Sequence, residues 1–168
     1  LQDDVFFGVG VRSEAKGTTD SVSWLPVLWV DADDNAMSWT NFPLEPLAVI
    51  NSGHPSGAHF HAYYALNPHY ELITEAHRSR ALAFLKAPCT AFNGDYKSCD
   101  LARVLRLPGT TNAKSGKPCT LVETNQKARY SVKQIRSAIT NSIVAGHWQR
   151  GQRHVLALSP AGYLANRR

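Results

Sequence analysis

The sequence predicts an α+β domain. Strand-length runs of β-branched and aromatic residues recur along the chain, and two longer segments carry apolar residues at helical spacing. With 168 residues, 43% of them hydrophobic, the chain is long and apolar enough to bury one core.

VFFGVGVR (5–12) reads as the first strand, and SEAKGTTDS (13–21) as a polar turn region. WLPVLWVDAD (24–33) is a second strand, with Pro26 near its start, where a missing N–H is tolerated. LAVINSG (47–53) is a third and ends in the turn HPSG (54–57). AHFHAYYAL (58–66) alternates as a fourth, with His59, His61 and Tyr63 on a polar, outward face and Phe60, Ala62, Tyr64 and Leu66 on an apolar, inward one. Residues 71–87 have helical periodicity, and Pro88 is expected to stop them. DLARVLRL (100–107) is short and mixed, PGTTN (108–112) breaks it, and CTLVET (119–124) is another strand. SVKQIRSAITNSIVA (131–145) is an amphipathic helix, with Ser131 as N-cap and Gly146 as its stop. This order gives one catalytic-sized domain over 1–146 and the start of a truncated helical region over 147–168.

Several classes are set aside. No apolar run approaches the ~20 residues of a membrane-spanning helix. The three cysteines (Cys89, Cys99, Cys119) contain no CxxC, so a disulfide framework is not expected, a reducing cytoplasm fits, and their spacings match no zinc pattern. The chain opens on leucine and reads as a piece of something longer. Charge is uneven: residues 1–50 hold eight acids against two bases, while residues 97–136 hold nine bases against two acids. That asymmetry suits a polyanionic partner at the second block, or two ordinary solvated faces of opposite sign.

Asp31 and Asp33 fall on one face of a strand, with Ala32 on the other. Two such carboxylates can hold a hard divalent cation, although an acidic turn after a strand looks the same. Asp95 and Asp100 are candidates for a third carboxylate. The His59-Phe60-His61 triplet opens a second reading. Rolling-circle nucleases of the HUH type hold a metal on such a triplet and use a helical tyrosine as nucleophile, here Tyr130 in Tyr-x-x-Lys with Lys133. A third reading is a nucleic-acid-binding module without catalysis. Residues 94–114, GDYKSCDLARVLRLPGTTNAK, place Arg103 and Arg106 beside a Pro-Gly turn, followed by Asn112 and Lys114. Arginine offers two parallel donors to phosphate, and glycine lets backbone N–H groups approach it.

The order WVDAD, then a Ser-Gly turn with a His-x-Tyr, then GD(x)4D(x)2RVLRLPGTTNxK, resembles the primase-polymerases of the archaeo-eukaryotic primase superfamily. The likeness is to the kind found in phage and plasmid replication proteins, and runs from about residue 5 to 125. It implies an RRM-like mixed or antiparallel sheet flanked by helices, and a DNA primase or polymerase working by two-metal nucleotidyl transfer. Asp31, Asp33 and Asp95 would carry two Mg²⁺ or Mn²⁺ ions, with Asp100 orienting the arginines. His61 would be the catalytic histidine. Ser52, His61, Arg103, Arg106, Asn112 and Lys114 would bind the nucleoside triphosphate. The insert HPSGAHF departs from the family pattern and makes Ser56 and His59 alternatives to Ser52 and His61. Implied partners are a single-stranded DNA template, a primer, NTP or dNTP, and a helicase domain or helicase partner, in the cytoplasm of a bacterial or archaeal host and without a membrane.

Overall fold

The computed structural model describes residues 4–33, 36 and 38–144. In chain order its elements are β1 (Phe6–Gly8), β2 (Val11–Arg12), β3 (Val22–Ala32), β4 (Ala48–Asn51), β5 (Phe60–Glu71), α1 (Glu75–Phe92), β6 (Val104–Arg106), β7 (Thr111–Asn112), β8 (Lys117–Pro118), β9 (Thr120–Thr124), β10 (Arg129–Tyr130) and α2 (Val132–Val144). The α+β class and the mixed sheet flanked by helices are as the sequence predicts.

The main sheet runs β2-β3-β5-β4-β9, all antiparallel, and β10 adds a short parallel pairing to β5 at Ala65 and Leu66. β1 and β6 form a separate two-stranded ribbon, and β7 and β8 a hairpin. Leu28, Val30 and Ala32 of β3 and Tyr64 of β5 bury their side chains in the same core as Leu85 and Phe92 of α1. Phe42 closes one end of it, its ring 4.8 Å from Phe92 and 5.0 Å from Tyr64. Ile135 and Ile139 bring α2 into the core. Full burial of such side chains contributes about 1.5–3 kcal/mol each.

Four expectations need correction. The first strand is not continuous. Residues 6–8 pair with β6 and residues 11–12 with β3, so the chain changes sheet at Val9-Gly10. A Cβ on Gly10 would lie 2.6 Å from Val22 Cγ1 and 3.0 Å from the Leu101 carbonyl, so only glycine passes this crossing. The first helix starts later and ends later than expected. Residues up to Glu71 remain in β5, Thr74 caps the helix by accepting from the His77 N–H, and Pro88 lies inside it. Pro88 forfeits a bond to the carbonyl four residues back. The turn beyond it persists because residues 87–92 are all buried, and Asn93 ends it at φ 55. β5 is longer than its alternating segment and continues through a cis Asn67–Pro68 bond. Its histidine face is also not solvent-exposed: His61 and Tyr63 are each 4% exposed. The β1–β6 ribbon covers them, with the Phe7 ring tilted against Tyr63 at 6.1 Å between centroids.

The C-terminal helix is capped as its sequence suggests. Ser131 Oγ accepts from the Gln134 N–H, and Gln134 Oε1 accepts from the Ser131 N–H, a reciprocal capping box. Its proposed stop at Gly146 and the boundary between 1–146 and 147–168 lie outside the described residues. Cys89, Cys99 and Cys119 are free and buried. Among the described residues no helix is long and apolar enough to cross a membrane.

Candidate functional site

The register of the central strands builds the site. Antiparallel pairing sets Asp31 of β3 opposite His61 of β5, at the end where β3 leaves the sheet. One carboxylate oxygen of Asp31 lies 3.4 Å from His61 Nε2, and the other accepts from Arg103 Nη2 at 3.1 Å. Asp33, just past β3, is 3.0 Å from His59 Nδ1. His59 stacks on His54 with ring centroids 3.6 Å apart, and His54 Nδ1 is held by the Ser56 hydroxyl at 2.9 Å.

The opposite wall comes from the Pro-Gly segment. After β6, Gly109 (φ +87) turns the chain, and the β7–β8 hairpin packs onto the Ser-Gly turn that follows β4. Asn112 Nδ2 donates to the Ser52 carbonyl at 3.0 Å, and its Oδ1 accepts from the Lys114 N–H at 3.1 Å. A Cβ on Gly53 would sit 2.8 Å from the Lys117 carbonyl, so glycine is what lets the hairpin approach.

Between these walls lies a cavity of about 410 Å³, lined by Asp31, Asp33, Ser52, His54, Pro55, His59, His61, Arg106, Asn112, Lys114 and Ser115. It is acidic on one side and basic on the other. Burial holds His61 below the ordinary histidine pKa; Asp31 pulls the other way, while Arg106 and Arg103 reinforce the shift. His61 is therefore a neutral imidazole near pH 7, able to grip an anion by hydrogen bonding rather than by charge. Burial likewise raises the Tyr63 hydroxyl pKa far above its ordinary value, and Asp31 adds to that.

No family model matches the chain, and no curated protein sequence does. Solved structures do. The archaeo-eukaryotic primase (AEP) domain of the cyanophage S-2L primase-polymerase superposes with a TM-score of 0.65 at 13% identity, over 81% of this chain and 70% of that one. The chain has the archaeo-eukaryotic primase-polymerase fold. A looser overlay, TM-score 0.46 at 18% identity, is with the primase RepB′, covering 82% of this chain and 46% of that one.

In this primase-polymerase fold most of the sequence-derived residues meet. Asp31, Asp33, Ser52, His61, Arg106, Asn112 and Lys114 line one cavity, and Arg103 reaches it through Asp31. His59, an alternative to His61, lines it too. Asn112 has its amide engaged in tying the hairpin to the Ser52 turn, which makes it a positioning residue. Asp95 is beside Asp31 but not in the cavity lining. Its N–H donates to the Asp31 carbonyl at 2.8 Å, while its carboxylate accepts from the Lys97 N–H at 2.9 Å. Asp100 does not orient the arginines by its side chain. It takes the Ala102 N–H and the Thr19 hydroxyl, and its carbonyl accepts from the Arg103 N–H.

Among the described residues no three His, Cys, Asp or Glu side chains are already gathered as a metal site. Two carboxylates facing a basic wall still suit Mg²⁺ or Mn²⁺, which are commonly bound by one or two carboxylates together with substrate phosphates. His54 and Ser115 were missed by sequence reasoning. Neither sits in a motif the resemblance names, and only the folding of the 54–57 turn and the hairpin brings them in.

The approach of Asp95 to β3 depends on Gly94. A Cβ there would lie 2.7 Å from the Asp31 carbonyl and 3.0 Å from Val30 Cγ1. Neither neighbour is a flexible side-chain end. Gly94→Ala is expected to cost about 1–3 kcal/mol in urea unfolding, the usual range for overpacking, and to weaken amide protection at Asp95.

Proposed function

We propose that the chain is the catalytic domain of a DNA primase-polymerase, which makes primers or extends DNA on a single-stranded template in phage or plasmid replication. The observation that carries this reading is the single cavity into which the WVDAD carboxylates, the Ser52 turn, His61 and the RLPGTTNAK segment all open.

The roles follow from chemistry and position. Asp31 and Asp33 would hold Mg²⁺ or Mn²⁺ together with the substrate phosphates, and Asp95 would join them as a third ligand by turning its carboxylate away from the Lys97 N–H. Bound there, such ions supply Lewis acidity toward the attacking 3′-hydroxyl and neutralise phosphate charge. Arg103, Arg106 and Lys114 supply positive charge to the triphosphate or the template backbone. His61 and the Ser52 turn orient the phosphate chain. Asn112 and Gly53 keep the two walls at fixed separation. Phosphoryl transfer needs mainly this positioning and charge neutralisation.

The test is incubation with single-stranded DNA, nucleotides and Mn²⁺, expecting new or extended strands. Cleavage with a covalent protein–DNA adduct would instead favour the HUH nuclease reading, and binding without turnover the inactive module. The nuclease reading places its nucleophile poorly. Tyr130 pairs with β5 at Leu66, five residues and about 16 Å along the strand from His61. Its hydroxyl donates to the Glu45 carbonyl at 3.1 Å. Tyr130→Phe is therefore expected to leave strand synthesis unchanged and to cost stability about 1 kcal/mol, as for one hydrogen bond.

A further inference from the structure

Arg106, expected to meet the triphosphate, is already engaged by an anion. Its Nε donates to one oxygen of Asp4 at 2.7 Å and its Nη2 to the other at 3.3 Å. This is the paired geometry that a guanidinium also offers to phosphate. Both side chains are largely shielded, at 16% and 20% exposure. Phe6 braces the guanidinium from one side, with its ring centre 5.1 Å from Arg106 Cζ. The Ala113 backbone also bonds the Asp4 carboxylate and the Lys114 ammonium acts on it, so the Asp4 pKa lies below its ordinary value, with Arg106 as the main cause. Arg106 and Lys114 both line the cavity that holds Asp31 and Asp33.

We propose that Asp4 is an internal competitor for nucleotide: its carboxylate fills an oxyanion cradle made by Arg106, the Ala113 backbone and Lys114, and the phosphate chain of a nucleoside triphosphate binds by displacing it. This rests on the primase-polymerase reading and adds a control element to it. One carboxylate brings a single negative charge to the cradle, whereas a triphosphate brings several, so the exchange favours nucleotide once it is abundant. Phe6 stays behind the guanidinium throughout and keeps its donors aimed at the incoming oxygens. Apparent affinity is reduced by the fraction of molecules in which Asp4 holds the cradle.

The experiment titrates dATP with Mn²⁺, and separately inorganic tripolyphosphate, into the wild-type chain, Asp4→Asn and Asp4→Ala. Thermal midpoints are measured alongside to establish that each variant is folded. Both variants are expected to bind both probes more tightly, by about tenfold if Asp4 fills the cradle about nine-tenths of the time. If the wild type binds and folded variants bind equally or more weakly, the competitor assignment is overturned while the primase reading stands. If neither wild type nor folded variants bind either probe, both fall together. Binding by the variants alone supports both.

Discussion

Asp31→Asn is expected to reduce strand synthesis by about 10³-fold or more while leaving the protein folded. The magnitude follows from the several kcal/mol that a bound metal contributes to phosphoryl transfer, at about 1.4 kcal/mol per factor of ten. Asparagine keeps the shape of the side chain and the β3–β5 register in which Asp31 faces His61. It removes the negative charge and half of the carboxylate's acceptor capacity. Two further consequences act in the same direction. Arg103 loses the anion that fixes its Nη2 at 3.1 Å, and its buried Nε has no hydrogen-bond partner among the described residues. His61 loses the neighbour that offsets its desolvation, so it becomes a still poorer proton acceptor. The measurement is primer extension on a single-stranded template with Mn²⁺, beside a thermal melt. Turnover within tenfold of wild type from a properly folded variant would remove Asp31 from the catalytic centre.

The candidate site was legible where a motif carries its own geometry. A carboxylate pair two apart on a strand must share a face, and Asp31 and Asp33 do face one cavity. RLPGTTNAK announces a turn, and that turn delivers Arg106, Asn112 and Lys114 to the same place. The register that sets Asp31 across from His61 was not legible, because pairing between strands separated by a long loop leaves no local signal. The alternation in β5 was real, but its meaning was misread: polar residues at every second position suggested an outward face, whereas the β1–β6 ribbon buries it. That ribbon depends on the chain changing sheet at Val9-Gly10, inside a run that looks like one strand. Pro88 misled for a related reason. Its local penalty was outweighed by burial of the helical turn that follows it. Asp4 could not have been found from sequence at all, since its partner Arg106 is 102 positions away.

Trp29→Ala is expected to be the most damaging core substitution, costing about 3–5 kcal/mol. That is a large share of the roughly 5–15 kcal/mol that holds a typical domain together. Trp29 is 1% exposed, lies in the middle of β3 and pairs with Tyr63 of β5. Its indole does more than fill space. Nε1 donates to the Ser98 carbonyl at 3.1 Å, and Ser98 ends the short turn that begins at Asp95. That turn is tied down twice, by the Asp95 N–H on the Asp31 carbonyl and by the indole on Ser98. Trp29→Phe separates the two functions. It keeps most of the ring volume but removes the indole bond, leaving the Ser98 carbonyl to the Asp100 N–H alone at 2.9 Å, at a cost of about 0.5–1.5 kcal/mol. Urea unfolding should therefore rank wild type above Trp29→Phe above Trp29→Ala. In the phenylalanine variant, amide exchange should quicken at Asp95 and Ser98 before it quickens in the body of β3. Uniform loss of protection instead would mean that the indole serves packing alone, and that the Asp95 turn is held by its contact with Asp31.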